Sequence, residues 1–223
     1  GGVAHNCTMN GKILNSGLFK SVFVQPASHD AGCALGAANY ALLSTDAEAE
    51  IQPFSNVYWG RNLPAAEKID DLLRAWHVWV DVLPVADVVG ETARRLAAGD
   101  VIAWVQGRSE FGPRALGNRS IVADPRPREN RERINMMIKK REGFRPFAPS
   151  VIEQGANDYF SFQNAKHLPY MTFVVEVREA HRGALAAITH VDGTARVQTV
   201  NEQSNSRYWS LLNAFGEHSG VPM

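Results

Sequence analysis

The stretch Gln106-Gly-Arg-Ser-Glu-Phe-Gly-Pro-Arg-Ala-Leu-Gly-Asn-Arg-Ser120 constrains this chain more than any other. It crowds Gly107, Gly112, Gly117 and Pro113 together with Arg108, Arg114 and Arg119. Such a string cannot run as a helix or a central strand, because glycine costs backbone entropy and proline removes a donor. It must be a loop. The β-branched runs Val101–Val105 and Ser120–Ala123 on either side of it read as short strands. Glycines let a backbone turn tightly and approach a ligand, and arginine forks match phosphate and carboxylate oxygens. The string is therefore either an anion cradle or a loop whose arginines tie down carbonyls and Glu110. It is no standard phosphate loop.

Around this loop, Val85–Ala98 has the period of an amphipathic helix stopped by Gly99. Residues 130–141 read as a helix with Ile134, Met137 and Ile138 on one face, Thr172–Val177 as a strand, and Asn205–Phe215 as a helix. Toward the N-terminus, Ala4–Leu14 can be helical, weakened by Asn10 and Gly11. Ser21–Gln25, closed by Pro26, carries a strand signal, and Cys33–Leu43 reads as a buried helix. Ile51–Pro84 has no clean period and reads as a peripheral segment or linker, with a domain boundary near residue 80. Irregular alternation of helix and strand gives an α/β or α+β class.

The 223 residues, 45% hydrophobic and 21% charged, suit one or two globular domains and exclude general disorder. Lys+Arg 23 against Asp+Glu 23 excludes a globally basic protein, so nucleic acid is not expected as a partner. The balance is uneven, however. Between Arg108 and Arg145 lie eleven cations and five acids, a local charge of +6 that the rest of the chain cancels. Two cysteines, Cys7 and Cys33, cannot build a disulfide scaffold and read as small packed hydrophobes. A reduced, cytoplasmic setting is the default. No apolar run approaches the ~20 residues of a membrane span. The opening Gly-Gly-Val and the closing Gly220-Val-Pro-Met223 suggest a piece of a longer polypeptide.

Further candidates follow the loop. Lys139 and Lys140 fall near a helix C-terminus, where cations complement the dipole. Arg145, held between Phe144 and Pro146, is expected to be partly buried and so to need an anion. Asp192-Gly193 is a turn signal, with His190 and Arg196 flanking it. Asp30 follows the expected strand and is a carboxylate suited to a cation, though one carboxylate makes no site. His5 and His29 could join it or merely pack.

Taken together, six strings resemble one family: residues 1–7, 30–38, 110–120, 144–150, 168–171 and 189–196. They are similar to the carbamoyltransferase family of nodulation and antibiotic O-carbamoylating enzymes, in that family's order. The resemblance implies two domains. Residues 1–80 would be the C-terminal part of an actin-like (ASKHA) carbamoyl-transfer domain with a linker. Residues 81–223 would be a YrdC-like twisted-sheet domain, shortened at its C-terminus. It implies that carbamoyl phosphate and ATP give carbamoyl adenylate in the second domain. The carbamoyl group then passes to a hydroxyl of a small-molecule acceptor in the first, which holds a divalent metal, iron.

Carried over by position, Arg114 matches the arginine of the phosphate-binding loop. Lys139 and Arg145 match the pair that binds carbamoyl phosphate and ATP, and these three would carry catalysis. Arg196 matches a further nucleotide-site arginine. Gly1, Gly2 and Asn6 match residues near the adenylate, and Asp30 matches the metal aspartate. The paired metal histidines and much of the acceptor pocket belong to an N-terminal half that this chain lacks, so the chain by itself is expected to be inactive. Two rival readings are a tRNA threonylcarbamoyladenosine-type enzyme and a non-enzymatic RNA-binding module using the basic strip.

Overall fold

The computed structural model describes residues 1–162 and 167–223. It is mixed helix and sheet. Helices α4 (Val88–Ala97) and α8 (Glu202–Ser219) pack face to face, and three short ladders lie against and beside them. Strands β1 (Ile102–Val105) and β2 (Arg119–Val122) pair antiparallel and enclose the glycine–arginine loop, in the place the sequence gives it. β3 (Ser150–Ile152) and β7 (Gln198–Val200) pair in parallel, Ser150 opposite Gln198. Between them in the chain come β4 (Phe160–Ser161), β5 (Val175–Val177) and β6 (Thr194–Ala195), an antiparallel sheet of order β4-β5-β6. Short helices α6 (Ala156–Tyr159) and α7 (Glu179–Arg182) connect these strands.

Two apolar cores share the parallel pair. Val151 joins Phe160, Val177 and Val197 in one core, while its neighbour Ile152 joins Leu96, Trp104, Leu211 and Phe215 in the other. Successive strand residues point to opposite faces, so three residues of β3 bind both cores together.

The N-terminal third is attached differently. Asn6 caps α1 (Cys7–Asn15) by accepting from the Met9 amide at 3.0 Å. Asn10 and Gly11, which weaken the helix signal, are the residues that dock it. Asn10 Nδ2 donates to the carbonyls of Ala4 and Thr172, and Gly11 lies so near Val174 that a Cβ would sit 2.5 Å from its carbonyl oxygen. The segment Ser21–Gln25 does not form the expected strand. Val22 and Val24 pack on the first core and Phe23 is exposed, yet the segment pairs with no described strand.

Helix α2 (Cys33–Thr45) forms as expected but buries none of its residues, against the expectation of a buried helix. Its Ala-rich sequence favours helix, but burial needs a surface to pack on. Of the aperiodic segment, Phe54, Val57 and Tyr58 pack against Leu116 and Met171, whereas α3 (Ala66–Arg74), Trp76 and Trp79 lie exposed.

Helix α5 (Arg128–Ile134) continues into a π turn, Asn135–Lys139, closed by Lys140 in the left-handed region. Ile134 is buried, but Met137 and Ile138 are exposed rather than sharing its face. The wider π turn rotates them out, and such turns recur at functional sites.

Candidate functional site

A cavity of about 320 Å³ opens between the loop, α5, the π turn and α8. Five cationic side chains line it: Arg114, Arg131, Lys139, Arg141 and Arg196. Asp124 is the one acid among the described lining residues, and it is already gripped by Arg126, whose Nη2 lies 2.6 Å from Oδ2. Leu96, Leu211 and Phe215 supply an apolar wall. The lining is therefore cationic and polar on one side and apolar on the other, which suits an anion carrying a less polar group.

The three loop arginines separate by role. Arg108 donates to the carbonyls of Trp59 and Gly60, and Arg119 donates to those of Gln106, Asn118 and Gly107. Both tie the loop to its surroundings. Glu110 holds the loop from within, accepting from the amides of Leu116, Asn118 and Arg119 at 2.8–3.3 Å. Gly117 has φ +104°, and a Cβ there would stand 2.3 Å from the Tyr208 ring. Only Arg114 is left to face the cavity, with no hydrogen-bonding or ionic partner for its side chain among the described residues.

Arg196 feels the like charge of both Arg114 and Arg141. Burial, and then the like charge of Arg114, pulls the Arg196 guanidinium below its ordinary pKa, with Arg141 adding to the effect. Burial, and then Arg145, does the same to Arg141. Nε of Arg196 is buried without a hydrogen-bond partner. Like charges held together in partial burial are costly unless an anion offsets them. Arg141 is held in place, since its Nε donates to Asn135 Oδ1 at 2.7 Å and its guanidinium lies 5.0 Å over the Phe147 ring. Burial and Arg196 also lower the pKa of His190 at the Asp192-Gly193 turn, opposed by Asp192.

Of the residues singled out by sequence, Arg114, Lys139 and Arg196 thus line one cavity. Arg145 does not, and it is not buried. Its side chain is 53% exposed, 3.6 Å from Glu142. The more enclosed neighbour is Arg141, partly buried on the cavity lining. Arg131 and Arg141 both escaped the sequence reading; for Arg141 the π turn before it shifts the side of the helix on which it falls. Gly1, Gly2, Asn6 and Asp30 also lie off the cavity lining.

Gly1, Gly2 and Asp30 are exposed, and the Asn6 side chain is spent on its helix cap. His5 and His29 rings stand 5.4 Å apart. No group of three histidines, cysteines or acids among the described residues could hold a metal ion, so Asp30 and these histidines do not make a complete site by themselves. Cys7, expected to pack as a hydrophobe, is partly buried, and Cys33 is exposed. Among the described residues no helix is long and apolar enough to cross a membrane.

The family model described as Carbamoyltransferase C-terminus matches residues 93–223, and the Carbamoyltransferase N-terminus model matches residues 1–39. The nodulation protein NolNO of Sinorhizobium fredii is 54% identical over the whole chain, which covers 33% of that protein. NolO of Bradyrhizobium diazoefficiens is 53% identical, again over the whole chain and 41% of its own length. A 3'-hydroxymethylcephem-O-carbamoyltransferase of Amycolatopsis lactamdurans is 40% identical over 99% of the chain and 40% of its own length. The chain thus spans between a third and about two fifths of the length of these relatives. With both family models matched and relatives similar along its full extent, the chain belongs to the carbamoyltransferase family.

Proposed function

We propose that the cationic cavity is the carbamoyl-activating site of an O-carbamoyltransferase, taking carbamoyl phosphate and ATP. The observation that carries this reading is the set of five cations around one cavity whose only described acid is neutralised by Arg126. In the overall step, carbamoyl phosphate, ATP and water give carbamoyl adenylate, phosphate and pyrophosphate. Water first splits carbamoyl phosphate into carbamate and phosphate, and a carbamate oxygen then bonds to the α-phosphorus of ATP as the bond from that phosphorus to the bridging oxygen of the β-phosphate breaks, releasing pyrophosphate. Arg114, Lys139 and Arg196 would hold the phosphoryl oxygens and offset the charge that moves onto the leaving pyrophosphate. Holding both reactants in one cavity aligns the attacking oxygen with the α-phosphorus. An acceptor hydroxyl then attacks the carbamoyl carbon and releases AMP.

On this reading residues 81–223 are the YrdC-like, adenylate-forming part, and residues 1–80 belong to the actin-like part where transfer takes place. The cephem relative is named for acting on a hydroxymethyl group, which supports a small hydroxylic acceptor here. Asp30 would be one ligand of a metal completed by residues outside this chain, and no step above runs through it.

Calorimetric titration of the chain with ATP and with carbamoyl phosphate tests the proposal. Both should bind, and Arg114→Ala and Arg196→Ala should each weaken binding by about tenfold or more, as expected for charged hydrogen bonds. Binding of neither ligand, or full affinity in both variants, would refute it.

A further inference from the structure

Arg131 is the cavity cation that neither the loop nor the turn at residue 193 explains. Its Nε is buried without a partner, and its side chain makes no hydrogen bond or ion pair with any described residue. A guanidinium is a five-donor group that burial penalises unless its donors are met. The neighbouring arginines meet theirs: Arg126 grips Asp124, and Arg133 Nη1 donates to the Gly99 carbonyl at 2.9 Å, pinning α5 against the end of α4. Asn130, buried, anchors the same helix through the Asp124 carbonyl. The helix is thus fixed on both sides of Arg131 while the arginine itself faces the cavity.

Lys139 reaches the same cavity from the π turn. Eight α-helical steps would set it about 80° round the helix from Arg131. A π turn holds more residues per turn and winds it back toward Arg131.

We propose that Arg131 forms a second anion-binding position in this cavity, apart from the Arg114–Arg141–Arg196 group, and grips a second phosphate of a polyphosphate ligand. The proposal rests on the cavity being an anion site, as argued above, and adds that it holds two phosphoryl groups at separate positions. Arg131 is a binding residue here through its own fork, not through another side chain.

The test uses inorganic pyrophosphate and inorganic phosphate as probes, titrated calorimetrically into the chain. Arg131→Gln should weaken pyrophosphate by about tenfold to a hundredfold, the range for a charge-assisted hydrogen-bond pair. Orthophosphate, which needs one position only, should change by less than about threefold. Arg128→Gln, on the same helix but off the cavity lining, should match wild type for both probes. Unchanged pyrophosphate affinity in Arg131→Gln, or equal weakening of both probes, overturns the second position.

If Arg131→Gln loses its cooperative melt, Arg131→Lys decides. With folding intact, it should lose several-fold in pyrophosphate affinity, and full affinity overturns the inference. If the wild-type chain binds no pyrophosphate, the inference is overturned as well. Failure of ATP and carbamoyl phosphate to bind while pyrophosphate binds through Arg131 would defeat the carbamoyl-activating reading and leave this one standing.

Discussion

At the scale of single residues, Asn135 does more than its neutral side chain suggests. It is fully buried, donates to the carbonyls of Arg145 (2.7 Å) and Gly143 (3.3 Å), and accepts from Arg141. Asn135→Ala would leave those carbonyls unmet and free Arg141 from its post. We expect a loss of about 3 kcal/mol, read as a lower melting temperature, together with weaker anion binding. Wild-type binding or an unchanged melt in this variant would contradict this role. Glu91 behaves differently. Hydrogen bonds from Arg94 and then Arg95 hold its pKa at about 2, below its ordinary value of 4.5. Its ion pairs therefore support α4 above pH 4.5 and are lost as pH falls toward 2. Stability measured across that window should fall less steeply in Glu91→Gln than in wild type.

At the scale of elements, docking decides what propensity leaves open. Helix α1 contains the two residues a free helix would avoid, yet Asn10 and Gly11 hold it against the strand region around Val174. Gly11→Ala would raise intrinsic helix propensity but drive a methyl into the Val174 carbonyl. We expect net destabilisation of about 1–3 kcal/mol, visible in the melt, and stabilisation would disprove the close approach. Ser21–Gln25 shows the reverse case. Its alternation is legible and its faces are sorted, but a strand also needs a neighbouring backbone. Helix α2 likewise forms from its own alanines and leucines, and none of its residues is buried among the described residues.

At the scale of the whole molecule, the cavity gathers residues from distant parts of the chain: Arg114 from the loop, Arg131 and Lys139 from α5 and its π turn, Arg196 from beyond the turn at residue 193. The acceptor-binding and transfer functions proposed for the family's other domain are not assembled by these residues. We therefore expect the purified chain, supplied with ATP, carbamoyl phosphate and a hydroxylic acceptor, to bind ligand without carbamoylating the acceptor. Carbamoylated product detected by mass spectrometry would refute this.

The sequence by itself determined the glycine–arginine loop, the helices around it, the local +6 charge and the family, because these depend on local backbone preferences, composition and motif order. Residue types and spacing could not determine which cations line the cavity. By residue type and spacing Arg108 and Arg119 read no differently from Arg114, which the family resemblance alone sets apart, and Arg145 reads as more buried than Arg141. Only the tertiary structure separates them, because an arginine's role depends on which carbonyls and carboxylates the fold brings within hydrogen-bonding reach, and one π turn changes that assignment for a whole helix end.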